Sequence, residues 1–189
     1  MDPKEYLEIL KTAGKLKTTY RHCYTEEGRK ESVADHTCRM AQMAMLMSGV
    51  EEFAGADLGR VIRMCLIHDL GEAFTGDIPT FDKTASDEAR EDSLFDQWVA
   101  SFPEPVRGEW QALLKEMGEL QTTEARLYKA LDKLEAVISH NESDLSTWLP
   151  LEYDLQLTYT KKNVAFSEFL TRLDQEVDDW TRRKIREES

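Results

Sequence analysis

The chain of 189 residues is poor in the residues that interrupt helices, with 9 glycines and 5 prolines, and it has only 3 cysteines. Cys23, Cys38 and Cys65 are an odd number without CxxC spacing. That excludes a disulfide framework. Cys38 and Cys65 lie among apolar residues and are expected as buried thiols. No apolar run approaches the ~18 residues that a membrane span needs. The opening Met1-Asp2-Pro3-Lys4-Glu5 lacks a basic segment leading into an apolar one, so a soluble, cytoplasmic protein with no membrane partner is expected. Basic residues are also scarce: 24 Lys and Arg stand against 37 Asp and Glu, a net charge of −13. Affinity for a phosphate backbone comes from many cationic contacts, so duplex nucleic acid is excluded as the main partner.

What is present favours helices. Hydrophobic residues make up 41% of the chain and charged residues 32%, enough apolar material for a core at this size. Tyr6, Leu7, Leu10 and Ala13 predict a short helix from Pro3 that Gly14 ends. Lys15 to Glu31 has no periodicity and reads as a long loop. Ser32-Val33-Ala34-Asp35 is a helix-start signal, followed by an apolar stripe through Met40, Met43, Ala44 and Met47. Leu58 to Ala73 repeats the pattern with Val61, Ile62, Cys65, Leu66 and Leu70. Later helices follow from the rows Phe95-Phe102, Val106-Met117, Leu127-Ile138 and Phe166-Trp180. No convincing strand appears; Leu155 to Tyr159 alternates, but reads as the start of the last helix or its connection. With no repeat or composition shift, the expectation is one all-α domain over 1–189, a bundle of about six helices with a C-terminal helix near 160–186 packed on it.

The net charge hides an exception. From Lys11 to Lys30 six basic residues face two acids, a local +4 that leaves −17 on the rest. Such a stretch attracts a small anion or is simply a solvated loop.

Polar residues interrupt the apolar stripes at a few positions. His36 lies four residues before Met40, on the face its helix buries. His68 and Asp69 continue the inward rows Val61-Cys65 and Ile62-Leu66. Asp132 lies beside the row Leu127-Leu131-Leu134 on a third helix. An unpaired buried carboxylate is costly, and a cation offsets that cost. Two imidazoles and two carboxylates suit a divalent transition metal. Glu72, four residues after His68 and three after Asp69, lies one turn along the same face.

His36, the pair His68-Asp69 and Asp132 match the H…HD…D signature of the HD-domain metal-dependent phosphohydrolases. Glu31-Ser32-Val33-Ala34-Asp35-His36 and the segment Ile67 to Pro79 (IHDLGEAFTGDIP) resemble the bacterial 5′-deoxynucleotidases and their eukaryotic HD-domain-containing relatives. The resemblance runs from about Tyr6 to about Leu145, with a metal-site core near 32–140. It implies an all-α HD fold, a homodimer, and one divalent ion (Co, Mn, Fe, Ni, Zn or Mg) held by His36, His68, Asp69 and Asp132. No histidine lies between Asp69 and Asp132 to build a second site. By the same resemblance Glu72 and Asp77 are catalytic, Glu72 handling the proton of a metal-bound water. Arg21, His22, Asp77 and Thr80 would bind substrate, Arg21 as the phosphate ligand. Lys83 follows in the same segment; His140 reads as structural. His22 occupies the position of a tryptophan beside the sugar in the bacterial enzymes.

The implied activity is metal-dependent hydrolysis of nucleoside or deoxynucleoside 5′-monophosphates to nucleoside and phosphate. Two alternatives stand beside it: an HD-type nucleoside triphosphate or pyrophosphate hydrolase, and a non-catalytic regulatory module that keeps a metal for folding.

Overall fold

The computed structural model describes residues 1–188. Ten helices are named among them: α1 (Pro3–Ala13), α2 (Val33–Leu46), α3 (Leu58–Ile67), α4 (Glu72–Thr75), α5 (Ala85–Ala100), α6 (Val106–Glu119), α7 (Thr123–Glu142), α8 (Glu152–Leu155), α9 (Lys161–Val164) and α10 (Glu168–Glu188). A two-stranded antiparallel hairpin, β1 (Tyr20–Tyr24) and β2 (Lys30–Ser32), stands between α1 and α2.

The helix starts follow from side chains that satisfy orphan backbone donors. Asp2 accepts from Lys4 and Glu5 at 2.7 and 3.0 Å while Glu5 accepts from the Asp2 amide, and Pro3 supplies the first turn. Ser32 and Asp35 form the same reciprocal box at the start of α2, as the sequence signal predicts. Thr84 with Asp87 does so at α5.

Helix α7 is the axis of the fold. Helices α2, α3, α6, α9 and α10 all pack on it. Ala125, Leu127, Ala130, Leu131, Leu134 and Val137 are fully buried along it and join one apolar cluster with Val33, Met40 and Ala44 of α2 and Val61, Met64 and Cys65 of α3. A helix buried nearly all round has no cheap place for charge. Asp132 and Glu135 are buried on α7 nonetheless, which marks that face as more than packing.

Several expectations need correction. The stretch Lys15 to Glu31 is not a loop: a 3-10 turn (Gly14–Lys17) leads into the hairpin, which turns at Gly28 with φ 80°. The buried positions of this hairpin are Cys23, Glu31 and Ser32, at 3%, 5% and 4% exposure, so the apolar alternation that announces a strand is missing. The helix expected over Leu58 to Ala73 ends at Ile67, where the ladder tightens to i→i+3 bonds (Leu70 to Ile67, Glu72 to Asp69, Ala73 to Leu70) before α4. There Gly71 packs on α5: a Cβ at this position would stand 2.7 Å from Glu91 Cγ. Cys38 is exposed on the outer face of α2, and Cys23 is buried with Cys65. Leu155 to Tyr159 belongs to the connection, and the final helix is split: α10 starts only at Glu168, where the Glu52 carboxylate accepts the amides of Glu168 and Phe169 at 3.2 and 2.9 Å.

Candidate functional site: a His-Asp cluster beneath a polar cavity

Helix packing of α2, the end of α3 and α7 brings the four sequence-predicted ligands together. His36 Nε2 lies 3.7 Å from Asp69 Oδ2 and 3.5 Å from Asp132 Oδ1. His68 Nε2 lies 3.0 Å from Asp69 Oδ2 and 3.8 Å from Asp132 Oδ1. Ligand atoms of His36, His68 and Asp69 all fall within 4.8 Å of one another.

Each imidazole is oriented from behind. His68 Nδ1 pairs with the Cys65 carbonyl at 2.9 Å, and His36 Nδ1 pairs closely with Glu135 Oε2. Both leave Nε2 facing the centre. His68 Nε2 is buried there without a hydrogen-bond partner, despite its short distance to Asp69. A buried polar atom of this kind aimed at two carboxylates is the position a cation takes. The donor set, two nitrogens and two carboxylate oxygens, fits a divalent metal.

Charges respond to this crowding. Burial disfavours ionised Asp132, but Lys129 Nζ at 2.9 Å and Lys133 Nζ at 3.5 Å from its Oδ2 hold it well below the usual carboxylate range. Its Oδ1 remains turned to the histidines. Burial opposes a charged His68, yet Asp69 and Asp132 outweigh it and push the group up to about 10. Asp69 is correspondingly lowered. A protonated His68 thus stands in for positive charge that the acids demand.

The cluster forms the floor of a cavity of about 300 Å³, within the range that holds a small ligand. His36, Asp69 and Asp132 line it, as do Glu72, Asp77, Arg21, His22, Thr80 and Lys83, so all but one of the sequence-predicted site residues share one wall system. His68 lies instead on the far side, lining a wider groove of about 880 Å³ between α5, α6 and α7. Glu72 opens α4 at 6% exposure, and its Oε2 has no partner. Desolvation, then repulsion from Asp69, Asp77 and Glu91, pushes its carboxyl up to about 10. Glu72 therefore carries a proton in the cation-free protein. Asp77 is raised too, by burial, against the pull of Arg21 and Lys83.

Arg21 emerges from β1 into the cavity. Its NH1 donates to Glu31 at 2.7 Å and to Glu135 at 3.1 Å. Among the described residues its other guanidinium nitrogens make no hydrogen bond, which leaves a planar fork turned to the cavity. The cavity's lysines are engaged: Lys83 with Glu91 at 2.8 Å, Lys129 and Lys133 with Asp132.

Sequence reasoning missed the far wall. His140, expected to be structural, lines the cavity and pairs with Glu152 Oε1 at 3.0 Å; His22 stands 3.5 Å from Glu152 Oε2 and edge-on to Phe81. Leu155, Gln156 and Tyr159 complete this end. It also missed Glu135, although Asp132, Glu135 and Ser139 fall at helical spacing on one face of α7, a row of polar residues on an otherwise apolar helix.

A helical core that delivers two histidines and two aspartates to one point beneath such a cavity has known counterparts. The HD domain family profile matches residues 13–173, and the chain belongs to that family. The 5′-deoxynucleotidase HDDC2 of Dictyostelium discoideum is 34% identical over 145 residues, which cover 72% of this chain and 76% of that protein. The 5′-deoxynucleotidase HDDC2 of Homo sapiens is 33% identical over 143 residues, 74% of this chain and 68% of that one. Among solved structures, a predicted metal-dependent phosphohydrolase from Magnetospirillum magnetotacticum superposes with a TM-score of 0.79 at 28% identity, over 96% of this chain and 93% of its own.

Proposed function

We propose that this chain is a 5′-nucleotidase of the HD type, a single HD domain that hydrolyses nucleoside or deoxynucleoside 5′-monophosphates to nucleoside and phosphate. The observation that carries the reading is the convergence of His36, His68, Asp69 and Asp132 under the cavity into which Arg21 and Glu72 project. His36, His68, Asp69 and Asp132 hold one divalent ion, which when bound supplies Lewis acidity and an activated water. Arg21 binds the phosphate with the fork left free by its two carboxylate partners. Glu72 and Asp77 manage the proton. With Asp69 neutralised by a cation, the repulsion that raises Glu72 weakens and its carboxyl moves toward the neutral range, where it exchanges a proton with water or the leaving 5′-oxygen. His22 and Thr80 lie along the path of the nucleoside.

A triphosphate substrate is disfavoured by the same charges. Beyond Arg21 the cavity's cations are tied to Glu91 and Asp132. A purely structural metal would not need a buried, unpaired Glu72 at its side. The names carried by the eukaryotic relatives support a deoxynucleotide preference.

The reading includes a cytoplasmic homodimer. Three free thiols suit a reducing compartment, and no helix among the described residues is long and apolar enough to cross a membrane. Helix α1 buries none of its residues and exposes Tyr6, Leu7 and Leu10, the face expected to meet a second copy. Protein loaded with Co²⁺ or Mn²⁺ is expected to release phosphate from dAMP, dGMP or TMP, and Glu72→Ala to abolish release while keeping the metal. Absence of release from any monophosphate by metal-loaded protein overturns the assignment; tripolyphosphate or pyrophosphate release from triphosphates replaces it with the alternative.

A further inference from the structure

Glu135 is fully buried, and both of its oxygens are used. Oε2 accepts from His36 Nδ1 and from Arg21 NH1 at 3.1 Å; Oε1 accepts from Arg39 Nε at 2.8 Å and from Ser139 Oγ at 2.9 Å. One oxygen therefore touches the back of a metal-ligand imidazole and the back of the phosphate-facing guanidinium. Nothing in the hydrolysis described above uses this carboxylate.

We propose that Glu135 is a positioning residue that sets the cation site and the phosphate site together, by fixing the tautomer of His36 and the direction of the Arg21 fork through a single oxygen. The inference rests on the assignment of His36 as a ligand and Arg21 as the phosphate contact.

A carboxylate flanked by Arg21 and Arg39 is an acceptor only, so His36 must place its proton on Nδ1 and keep the Nε2 lone pair for a cation. The same acceptor holds NH1 of Arg21, and Glu31 at 2.7 Å fixes that nitrogen from a second side. With NH1 pinned at two points the guanidinium plane cannot swing, and the remaining nitrogens face the cavity. Arg21 and Arg39 together hold Glu31 and Glu135, and Arg39 also pairs with Glu142 at the surface. Glutamine at 135 cannot reproduce this arrangement. With its amide oxygen toward His36, its NH₂ group meets the Arg39 Nε donor; with the amide reversed, two donors meet at His36 and Arg21 and the histidine is driven to the wrong tautomer.

The experiment uses the full chain and two binding measurements that need no turnover. Mn²⁺ affinity is titrated calorimetrically without substrate, and inorganic phosphate affinity is titrated with the metal removed by chelation. Glu135→Gln is expected to weaken Mn²⁺ binding by about 10- to 100-fold, the usual effect of losing a carboxylate behind a ligating histidine. Phosphate binding is expected to weaken about tenfold, one charge-assisted contact's worth of positioning. Asp174→Asn is the stability control: Asp174 pairs with Lys161 and Thr160 at the α9–α10 junction, so this variant should lower the melting temperature and leave both affinities unchanged. Should Glu135→Gln fail to fold, Arg39→Gln, which acts on Oε1 from a partly exposed position, is expected to weaken both ligands in the same direction by a smaller factor. Unchanged affinities in a folded variant, or a loss confined to one ligand, overturn the proposal. The Mn²⁺ titration is independent of which nucleotide is hydrolysed, so failure of the substrate assignment would not be mistaken for failure of this one.

Discussion

Replacing Arg21 with alanine tests the proposed phosphate contact and, at the same time, the buried charge network behind it. Arg21 has one guanidinium nitrogen committed to Glu31 and Glu135 and a fork left for a ligand. Two charge-assisted hydrogen bonds at ~1.5–3 kcal/mol each put the contact at about 3–6 kcal/mol. The cavity is open to water, which replaces part of what is lost, so the lower half of that range applies: about 100- to 1,000-fold in kcat/KM at ~1.4 kcal/mol per tenfold. Arg21→Lys keeps the charge without the fork and should lose roughly a third to a half of the alanine effect in energy, about tenfold in rate. The alanine variant also leaves Glu31 and Glu135 with Arg39 as their remaining cation, and an undercompensated buried pair of this kind costs about 3–5 kcal/mol. Steady-state phosphate release from dAMP by Mn²⁺-loaded protein, run well below each variant's melting temperature, reads the first effect; a thermal melt reads the second. A folded, metal-loaded Arg21→Ala enzyme with wild-type kcat/KM would refute the phosphate assignment, and a wild-type melt would refute the account of the buried charge network.

Three further outcomes follow from the same geometry. The Glu72 carboxyl keeps its proton in the folded, metal-free protein up to about pH 10 while the unfolded chain gives it up near 4.5. Folding then takes up a proton across that window, and stability falls as pH rises through it. Denaturant titrations in chelator should show this slope, and Glu72→Gln, which cannot ionise, should flatten it; an equal slope in both proteins contradicts the burial argument. Adding divalent metal at a thousandfold excess over its Kd is expected to stabilise the wild type by ~4 kcal/mol, with Asp132→Asn gaining much less; equal shifts in the two proteins would remove Asp132 from the ligand set. Leu131→Ala empties a fully buried position on α7 and should cost about 2–5 kcal/mol by chemical denaturation; a loss under ~1 kcal/mol would mean that α7 is not the packed axis described.

The convergence of His36, His68, Asp69 and Asp132 was legible because these residues break apolar rows of clear helical period, and such breaks stand out against a hydrophobic stripe. The helices with long rows, α2, α6 and α7, were legible from those rows, whereas only the end of α5 was, because Ala85 to Ser93 is almost entirely polar. The β1–β2 hairpin was not, since its buried positions are Cys23, Glu31 and Ser32, and a polar interior carries no hydrophobic alternation. Cys38 misled because apolar neighbours in sequence lie on other faces of α2. The cavity wall built by His140, Glu152 and Gln156 was hidden by distance along the chain: α8 and its connection fold back on the end of α7, a tertiary event with no local signature. Glu135 had a signal, its spacing from Asp132 and Ser139, that apolar-row counting passes over.

Helix α7 supplies Asp132, Lys129, Lys133, Glu135 and His140 while also burying the most residues of any element. The site and the core therefore share one cooperative unit. Amide protons on α7 should exchange with solvent only through global unfolding, whereas those of α1, which packs on the core only through the half-buried Ile9 and Ala13, should exchange by local fraying. Any opening that frees α7 from its neighbours would take Asp132 and Glu135 out of the cluster at the moment it breaks the core.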